Sequence, residues 1–467
     1  MTCLNHASLA ASLAALTVAA DAAAASKPKS PAGKRPAVIV IMTDQQTAGA
    51  ISCAGNPWVR TPAMDALAAD GVRFTRAYCP YPLSGPCRAA LVTGRMPFEV
   101  GAFDNAIRPA DADMQAGIGH RLAEAGYECL YAGKRHVPEV NLPDSGTGFR
   151  RISKMNDPAL ADACDAALKE YDGQKPLFLV ASLLNPHEIC EYGRHETLQY
   201  GELAPFSTEE CPNLPANFMP STYAAEALTL EHASSPRYHD TYTYTQDDWR
   251  RYLYAYYRLV ERADREVGRI VGVLKAHGLY DDAAIVFLSD HGDGAAAHGW
   301  NQKWNLQEEV INVPLIVKPP KGAGLRGVRN DEALSNVGLD LYATVCDYAG
   351  VTPDLERYRG RSLRPVAEGR QATLHDEVFV ETLLPGPDMR GWSVVGPRYK
   401  YVLYQWGRNR EALYDLQDDP GEMVNLAVDR RYEAELNRLR RAMYDWGVRI
   451  GDPKLVRNLR PFAETRN

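Results

Sequence analysis

The chain has 467 residues, of which 45% are hydrophobic, and its formal net charge is −7. This length allows two to three folded units, and the apolar fraction is ample for a large core. Because there is no basic excess, the composition argues against nucleic acid as a partner.

The first 25 residues have the features of a secretory signal peptide. An Ala/Leu-rich stretch over residues 7–25 ends in small residues, although the start carries no Lys or Arg. A disordered leader or a wrongly chosen start is the alternative. A membrane anchor is least favoured, because Asp21 and hydroxyl residues interrupt the stretch, and no other segment could span a bilayer. We therefore expect a periplasmic or secreted protein with a basic linker over residues 26–36.

Four apolar runs predict strands that are buried on both faces of a sheet. They cover residues 37–42, 127–132, 176–184 and 283–289. The polar residues that follow them include Asp44 and Gln45, Lys134 and His136, His187, and Asp290 and His291. Polar residues end most strands, but this set is rich in Asp, His and Lys rather than Gly, Asn and Ser. Because ligands bind beyond the carboxyl ends of strands in open α/β sheets, the four endings predict one shared site.

Apolar residues recur at three- and four-residue steps over residues 248–275, which predicts a long amphipathic helix that stops before Gly278. The preceding stretch, residues 192–245, is polar, rich in Pro, Ser and Thr, and without a sustained period. We interpret it as a long insertion of the kind that shapes substrate pockets.

The sequence changes character near residue 353. Short strand-like runs at 392–395, 400–404 and 412–416 are separated by turn residues, and an amphipathic helix is predicted over 432–446. The predicted fold class is therefore α/β. It comprises a large mixed, mostly parallel sheet sandwiched by helices over residues 37–352, and a smaller C-terminal antiparallel-sheet subdomain, residues 353–467, carrying one helix.

Residues 84–95, Ser-Gly-Pro-Cys-Arg-Ala-Ala-Leu-Val-Thr-Gly-Arg, place a small nucleophile just ahead of a helix. Pro86 is tolerated in a first helical turn, so Ser84 is expected at a helix N-terminus, where free backbone N–H groups attract an anion. Arg88, one turn inside, would add a guanidinium fork for a tetrahedral oxyanion. Taken alone, Ser-x-Pro before a helix is usually only a cap.

This stretch resembles the sulfatase signature, which is Cys or Ser, any residue, Pro, any residue and Arg, followed by Leu-x-Thr-Gly-Arg. The segment 413–422 resembles the family's C-terminal Leu-Tyr-Asp-Leu-x-x-Asp-Pro-x-Glu, and the likeness runs from about residue 36 to 448. In that family the first signature residue is oxidised to formylglycine. The match puts Ser84 at this position and excludes Cys79 and Cys87.

The resemblance also implies a metal site. Asp44, Asp290 and His291 match the family's ligands, Gln45 stands where many members have a second Asp, and the modified Ser84 would complete the set. Sulfatases usually hold one calcium ion, which suits oxygen-dominated coordination. A single imidazole makes the site slightly softer, so manganese and zinc stay open.

Catalytic roles follow from the same comparison. Arg88, Lys134 and Lys303 would offset the charge of the sulfuryl oxygens and the leaving oxygen. In the family, one hydroxyl of the aldehyde hydrate attacks sulfur, and the second then loses its proton to the residue matched by His136, which expels sulfate.

Three further matches concern the substrate. His187 and Lys303 correspond to residues that contact the bridging oxygen, so either could protonate the departing alcohol. Asn105 corresponds to a position near the sulfate.

A serine in the signature implies maturation by a radical, iron–sulfur enzyme rather than the oxygen-dependent one. Cys87 stands where Ser or Ala is common, which leaves its effect on the maturase open.

Two other functions remain as alternatives. One is a one-metal phosphonate or phosphodiester hydrolase of the same superfamily; a two-zinc phosphatase is disfavoured, because no histidine follows an Asp by four places. The other is a non-catalytic binder of sulfated glycans with unmodified Ser84. For an enzyme, we expect a sulfated carbohydrate as substrate, with Trp58, residues 192–245 and Trp406-Gly407-Arg408 lining a sugar subsite.

Overall fold

The computed structural model describes residues 35–107, 109–136, 147–235, 241–353 and 357–463. The expected signal peptide and residues 26–34 of the expected linker lie outside the described residues. Among the described helices, none combines the length and the hydropathy that a bilayer crossing requires. All eight described cysteines are free thiols.

Ten strands precede the C-terminal subdomain in the described part of the chain. They are β1 (Val38–Asp44), β2 (Val72–Phe74), β3 (Ala77–Tyr78), β4 (Glu128–Gly133), β5 (Arg150–Ser153), β6 (Leu177–Pro186), β7 (Ala284–Ser289), β8 (Leu315–Lys318), β9 (Val328–Asn330) and β10 (Ser335–Asn336). Eight of them form one sheet in the order β5-β4-β6-β1-β7-β8-β2-β9, and β3 pairs with β10. Only β8 runs antiparallel to its neighbours, so this mixed sheet is mostly parallel, as predicted.

Helices cover both faces of this sheet. The described α-helices are α1 (Pro62–Ala69), α2 (Ser84–Thr93), α3 (Asp111–Gln115), α4 (Ile118–Glu124), α5 (Asp157–Glu170), α6 (Ile189–Gly193), α7 (Glu226–Ser234), α8 (Gln246–Ala276), α9 (Glu308–Ile311), α10 (Val337–Ala349), α11 (Arg364–Ala367), α12 (Glu433–Ile450) and α13 (Pro453–Ala463). Alternate side chains of β1 point to opposite faces. Ile39 and Ile41 pack in the core that contains α5 and α8, whereas Val40 and Met42 pack in the core that contains α2 and α10.

The C-terminal subdomain is an antiparallel sheet in the order β11 (Val378–Leu384), β12 (Met389–Val395), β13 (Tyr399–Tyr404) and β14 (Glu411–Asp415). Helix α12 packs on it through Leu439 and Met443, which share a core with Trp392 and Tyr401. The sequence analysis predicted one helix in this subdomain; the structure adds α13 directly after α12 and the short α11 before β11. The backbone of Glu381 in β11 donates to the Pro80 carbonyl at 3.0 Å, so this sheet adjoins the segment that leads into α2.

Candidate active site

Four adjacent parallel strands, β4, β6, β1 and β7, end at one edge of the large sheet. The predicted site residues at these ends are, in that strand order, Lys134 and His136, His187, Asp44 and Gln45, and Asp290 and His291. Helix α2 begins at the same edge with Ser84, and Lys303 reaches it from the segment after β7. The sequence-predicted residues therefore converge on one region.

Ser84 begins α2 and is fully buried. Its Oγ lies 3.0 Å from Nε2 of His291 and 3.3 Å from Oδ1 of Asp44. Nδ1 of His291 lies 2.8 Å from the Gly292 carbonyl oxygen, which can only accept a hydrogen bond. Nδ1 therefore carries the proton, and Nε2 presents its lone pair toward Ser84.

Arg88 links the carboxylates of Asp44 and Asp290. Its Nε donates to Asp290 Oδ2 at 2.7 Å and its Nη2 donates to Asp44 Oδ2 at 2.9 Å. Its Nη1 donates to the Lys134 carbonyl at 2.7 Å and to Ser182 Oγ at 2.8 Å. Four of the five N–H groups of the guanidinium are thus engaged within the protein. The sequence analysis expected Arg88 to bind an oxyanion directly. Only one of its N–H groups remains for such a contact, and its hydrogen bonds to Asp44 and Asp290 orient their carboxylates.

Three buried groups form a candidate cation site. One ligand atom each from Asp44, Asp290 and His291 lies within 4.8 Å of the others. Burial and the charge of Asp44 raise the pKa of Asp290 to about 7. Burial also acts to raise the pKa of Asp44, but the neighbouring Lys134, His187 and Arg88 outweigh it and hold that pKa well below its usual value. Two carboxylates and an imidazole lone pair fit a divalent cation, which would relieve their mutual repulsion.

Two lysines contact side chains at the end of β1. Lys134 Nζ lies 2.7 Å from Asp44 Oδ2, and Lys303 Nζ donates to Gln45 Oε1 at 2.8 Å. Burial lowers the pKa of Lys134, although Asp44 opposes the shift. The Gln45 amide oxygen, expected among the metal ligands, is engaged by Lys303 here.

Two histidines, His136 and His187, also lie at this edge of the large sheet. Burial and Lys134 lower the pKa of His136 to about 3. Burial likewise holds the pKa of His187 well below its usual value, with Lys134 and Lys303 adding to the effect. Both imidazoles are therefore neutral near pH 7, and each can accept a proton.

The N-terminus of α2 offers fewer free donors than its sequence predicts. Asn105 Oδ1 accepts from the Gly85 N–H at 2.9 Å, Pro86 has no N–H, and the Cys87 N–H donates to the Leu83 carbonyl at 3.0 Å. Asn105 thus caps this helix. Attraction for an anion must come mainly from side-chain cations and a bound metal.

Sequence reasoning missed several buried supports of the site. Ser182, in the middle of an apolar strand, gave no signal for its contact with Arg88. Asp293 lies two residues after His291 and is fully buried; it accepts from Gln45 Nε2 at 2.8 Å and from Tyr252 Oη at 3.0 Å. Asp293 follows Asp290 by three residues in the segment Asp290-His291-Gly292-Asp293, and this short spacing was the sequence signal that could have indicated a second carboxylate near the site.

The insertion borders a cavity of about 440 Å³. Its lining residues are Pro220, Ser221, Ala224, Leu228, Thr229, His232, Ala233, Tyr242, His298, Gly299, Trp300 and Gln307. The last four belong to the segment that carries Lys303, and Trp300 Nε1 donates to the Lys303 carbonyl at 3.2 Å. The expectation that the insertion shapes a pocket therefore agrees with this lining, whereas Trp58 and Trp406 are not part of it.

An α/β fold that gathers a cation site, a buried hydroxyl and two lysines at its strand ends defines a hydrolase of anionic esters. The Sulfatase family model matches residues 36–351, so the chain belongs to the sulfatase family, whose members hydrolyse sulfuric esters. A second model, N-sulphoglucosamine sulphohydrolase, C-terminal, matches residues 296–448.

The chain is similar to carbohydrate sulfatases over almost its whole length. A Delta 4,5-hexuronate-2-O-sulfatase of Bacteroides thetaiotaomicron is 29% identical, covering 93% of this chain and 93% of the relative. An N-acetylglucosamine-6-O-sulfatase of the same organism is 25% identical, covering 93% and 89%. The solved structure of a 2-O GAG sulfatase superposes with a TM-score of 0.79 at 28% identity, covering 90% of this chain and 93% of that chain.

Proposed function

We propose that this sulfatase releases inorganic sulfate from a sulfated carbohydrate and that Ser84, oxidised to formylglycine, is its nucleophilic residue. The observation that carries this proposal is the position of the Ser84 hydroxyl, 3.0 Å from His291 and 3.3 Å from Asp44. A nucleophile at this place adjoins the candidate cation site and the lysines that would bind a tetrahedral anion.

Asp44, Asp290 and His291 would hold the divalent cation, and calcium is the ion that we propose. Gln45 would join them only if its amide oxygen exchanged Lys303 for the ion. A bound cation supplies positive charge that stabilises the sulfuryl oxygens as bonds to sulfur change. Arg88 donates to both carboxylates and orients them for this task.

When residue 84 carries formylglycine, its hydrate supplies the hydroxyl that attacks sulfur and the hydroxyl that later releases sulfate. His136 is the proposed base, because its imidazole is neutral near pH 7 and so has a lone pair that can accept a proton from residue 84. Lys134 lies against Asp44 on the same side and balances the charge of the sulfate group.

The leaving alcohol requires a proton, since an alkoxide departs poorly. Lys303 is our primary candidate for this donor, and His187 would hold the alcohol oxygen as a neighbouring polar group. Asn105 lies at the start of α2 and would contact the sulfate through its amide nitrogen, because its oxygen is used by Gly85.

The cavity lined by Trp300, which contacts the Lys303 backbone, supports a carbohydrate substrate. Trp300 and Tyr242 offer aromatic faces on which the C–H faces of a sugar ring can stack, and Ser221, Thr229 and Gln307 offer polar groups for its hydroxyls. Together with the carbohydrate sulfatases to which the chain is similar, this lining favours an oligosaccharide or polysaccharide over choline sulfate.

We further propose that the protein is exported to the periplasm or secreted and that a radical-type maturase oxidises Ser84. The test is mass spectrometry of the tryptic peptide 77–88 after expression with such a maturase. We expect a loss of two hydrogens at Ser84 together with sulfate release from carbohydrate sulfates, and neither in Ser84→Ala. An unmodified serine, or faster cleavage of phosphate than of sulfate aryl esters, would contradict the proposal.

A further inference from the structure

We propose that Asp293 is a positioning residue that fixes the ammonium group of Lys303 by holding the side-chain amide of Gln45. The inference rests on the proposed function, in which Lys303 protonates the leaving alcohol. Asp293 has no contact with Ser84 among the contacts of the described residues, so it would act only through other groups.

The Asp293 carboxylate is fully buried and is surrounded by donors. Oδ2 accepts from Gln45 Nε2 at 2.8 Å and from the Gln302 N–H at 3.0 Å, and Oδ1 accepts from the Ala295 N–H at 2.8 Å. Tyr252 Oη lies 3.1 and 3.0 Å from the two oxygens. An ionised carboxylate accepts but does not donate, so each of these contacts has a defined direction.

This direction determines how the Gln45 amide lies. A carboxylate must face the NH₂ end of the amide, so the carbonyl end turns the other way. That end, Oε1, accepts from Lys303 Nζ at 2.8 Å and from Cys190 Sγ at 3.3 Å. The Gln45 backbone is also fixed, because its carbonyl accepts from Tyr256 Oη at 2.8 Å and its N–H donates to Asp290 Oδ1 at 3.1 Å.

Asp293 also holds Lys303 from the other end. Asp293 accepts from the N–H of Gln302, the residue directly before Lys303. The carboxylate therefore anchors the backbone next to Lys303 and, through Gln45, the Lys303 ammonium. Lys303 is almost fully buried, which leaves its long side chain few other positions. An acid held in one geometry transfers its proton to a bound alcohol oxygen more effectively than a mobile one.

The alternative is that Asp293 only closes the loop between His291 and Lys303. The two readings differ in their dependence on the leaving group. Loss of a positioned acid slows esters of alcohols, which need the proton, far more than esters of acidic phenols, which depart unaided. Loss of loop closure alone affects both esters equally.

The test is Asp293→Asn, which keeps the shape but replaces one acceptor oxygen by an NH₂ group. In either orientation the NH₂ group of the asparagine meets a backbone N–H, that of Gln302 or that of Ala295, so the contacts of Asp293 cannot all be kept. When the NH₂ group faces Gln45, two donors meet there or the Gln45 amide flips and presents NH₂ to Lys303. On a carbohydrate sulfate we expect kcat to fall about 10–100-fold, the usual effect of losing a supporting group, with KM little changed. On 4-nitrophenyl sulfate we expect a change of less than about threefold, since that leaving group needs no acid.

Three controls separate positioning from folding and metal binding. Asp264→Asn removes another buried carboxylate, which accepts from the Ala63 and Met64 N–H groups on α1, and it should show no preference between the two esters. Adding Asp293→Asn to Lys303→Met should cause no further loss on the carbohydrate ester, because both changes remove one function. The calcium-induced shift in melting temperature should be the same in Asp293→Asn as in the wild type.

A readout independent of activity keeps the inference testable if the enzyme hydrolyses neither ester, in which case the proposed function fails by itself. The extent of Lys303 acylation at one fixed pH, followed by mass spectrometry, should rise in Asp293→Asn, where Gln45 no longer holds the ammonium in place, and not in Asp264→Asn. Equal losses on both esters, additive losses with Lys303→Met, or unchanged Lys303 acylation would overturn the inference.

Discussion

Replacing Arg88 by lysine isolates the role of the guanidinium between the two site carboxylates. Arg88, Asp44 and Asp290 are buried, and one guanidinium bonds both carboxylates while also donating to Ser182 and to the Lys134 carbonyl. A lysine ammonium is a compact point charge that cannot span these partners. At position 88 it would also lie close to the Lys134 ammonium, which already binds Asp44 at 2.7 Å.

The expected loss of stability follows from this geometry. Asp44 keeps Lys134 as a partner, but one of the two buried carboxylates loses its charged hydrogen bond. Removing one partner of a buried ion pair costs about 3–5 kcal/mol, so we expect Arg88→Lys to lower the free energy of unfolding by about that amount. Sulfatase activity should fall about 10–100-fold, because the metal ligands lose their supporting contact.

The assay is chemical denaturation followed by tryptophan fluorescence, in the presence of a chelator so that no metal contributes. The matched control is Arg408→Lys, whose side chain is 86% exposed and pairs with Glu226 at 3.3 Å. That change should stay within about 0.5 kcal/mol of the wild type. An Arg88→Lys variant within about 1 kcal/mol of the wild type, with an unchanged denaturant slope, would refute the reasoning about the buried pair.

Three further predictions concern the metal, the base and the substrate. Calcium at a hundredfold excess over its Kd should stabilise the chelated protein by about 2.7 kcal/mol in thermal unfolding, and an equal shift in Asp44→Asn would contradict the metal assignment. Because burial and Lys134 lower the pKa of His136 to about 3, its imidazole is neutral and able to accept a proton throughout the usual assay range. The pH profile of kcat/KM should then have no acid limb from His136 between about pH 5 and 7, and a limb in that range that disappears in His136→Asn would argue against this. Tyr242 lines the cavity and is exposed, so Tyr242→Ala should raise KM for a sulfated oligosaccharide about 2–10-fold through lost stacking without changing kcat on an aryl sulfate; an unchanged KM would remove the cavity as a sugar subsite.

The sequence by itself determined the elements that carry the site. The four apolar runs end within two residues of the ends of β1, β4, β6 and β7, and the predicted long helix is α8 within two residues at its start and one at its end. Ser84 begins α2 as the proline and the glycine stop indicate. These signals are local, because burial on both faces and helical spacing are written into consecutive residues.

The tertiary structure alone decided what the polar side chains contact. Gln45 and Lys303 are 258 residues apart, and nothing in either segment indicates that the amide oxygen faces the ammonium. Arg88 was expected to face the substrate, yet most of its donors are taken by residues from four different strands or their ends. The antiparallel direction of β8, the edge strand β11 and the additional helix α13 likewise depend on packing partners distant in sequence. Periodicity fixes which face of an element is buried, but the direction of a polar group is set by the donors and acceptors that the completed fold brings against it.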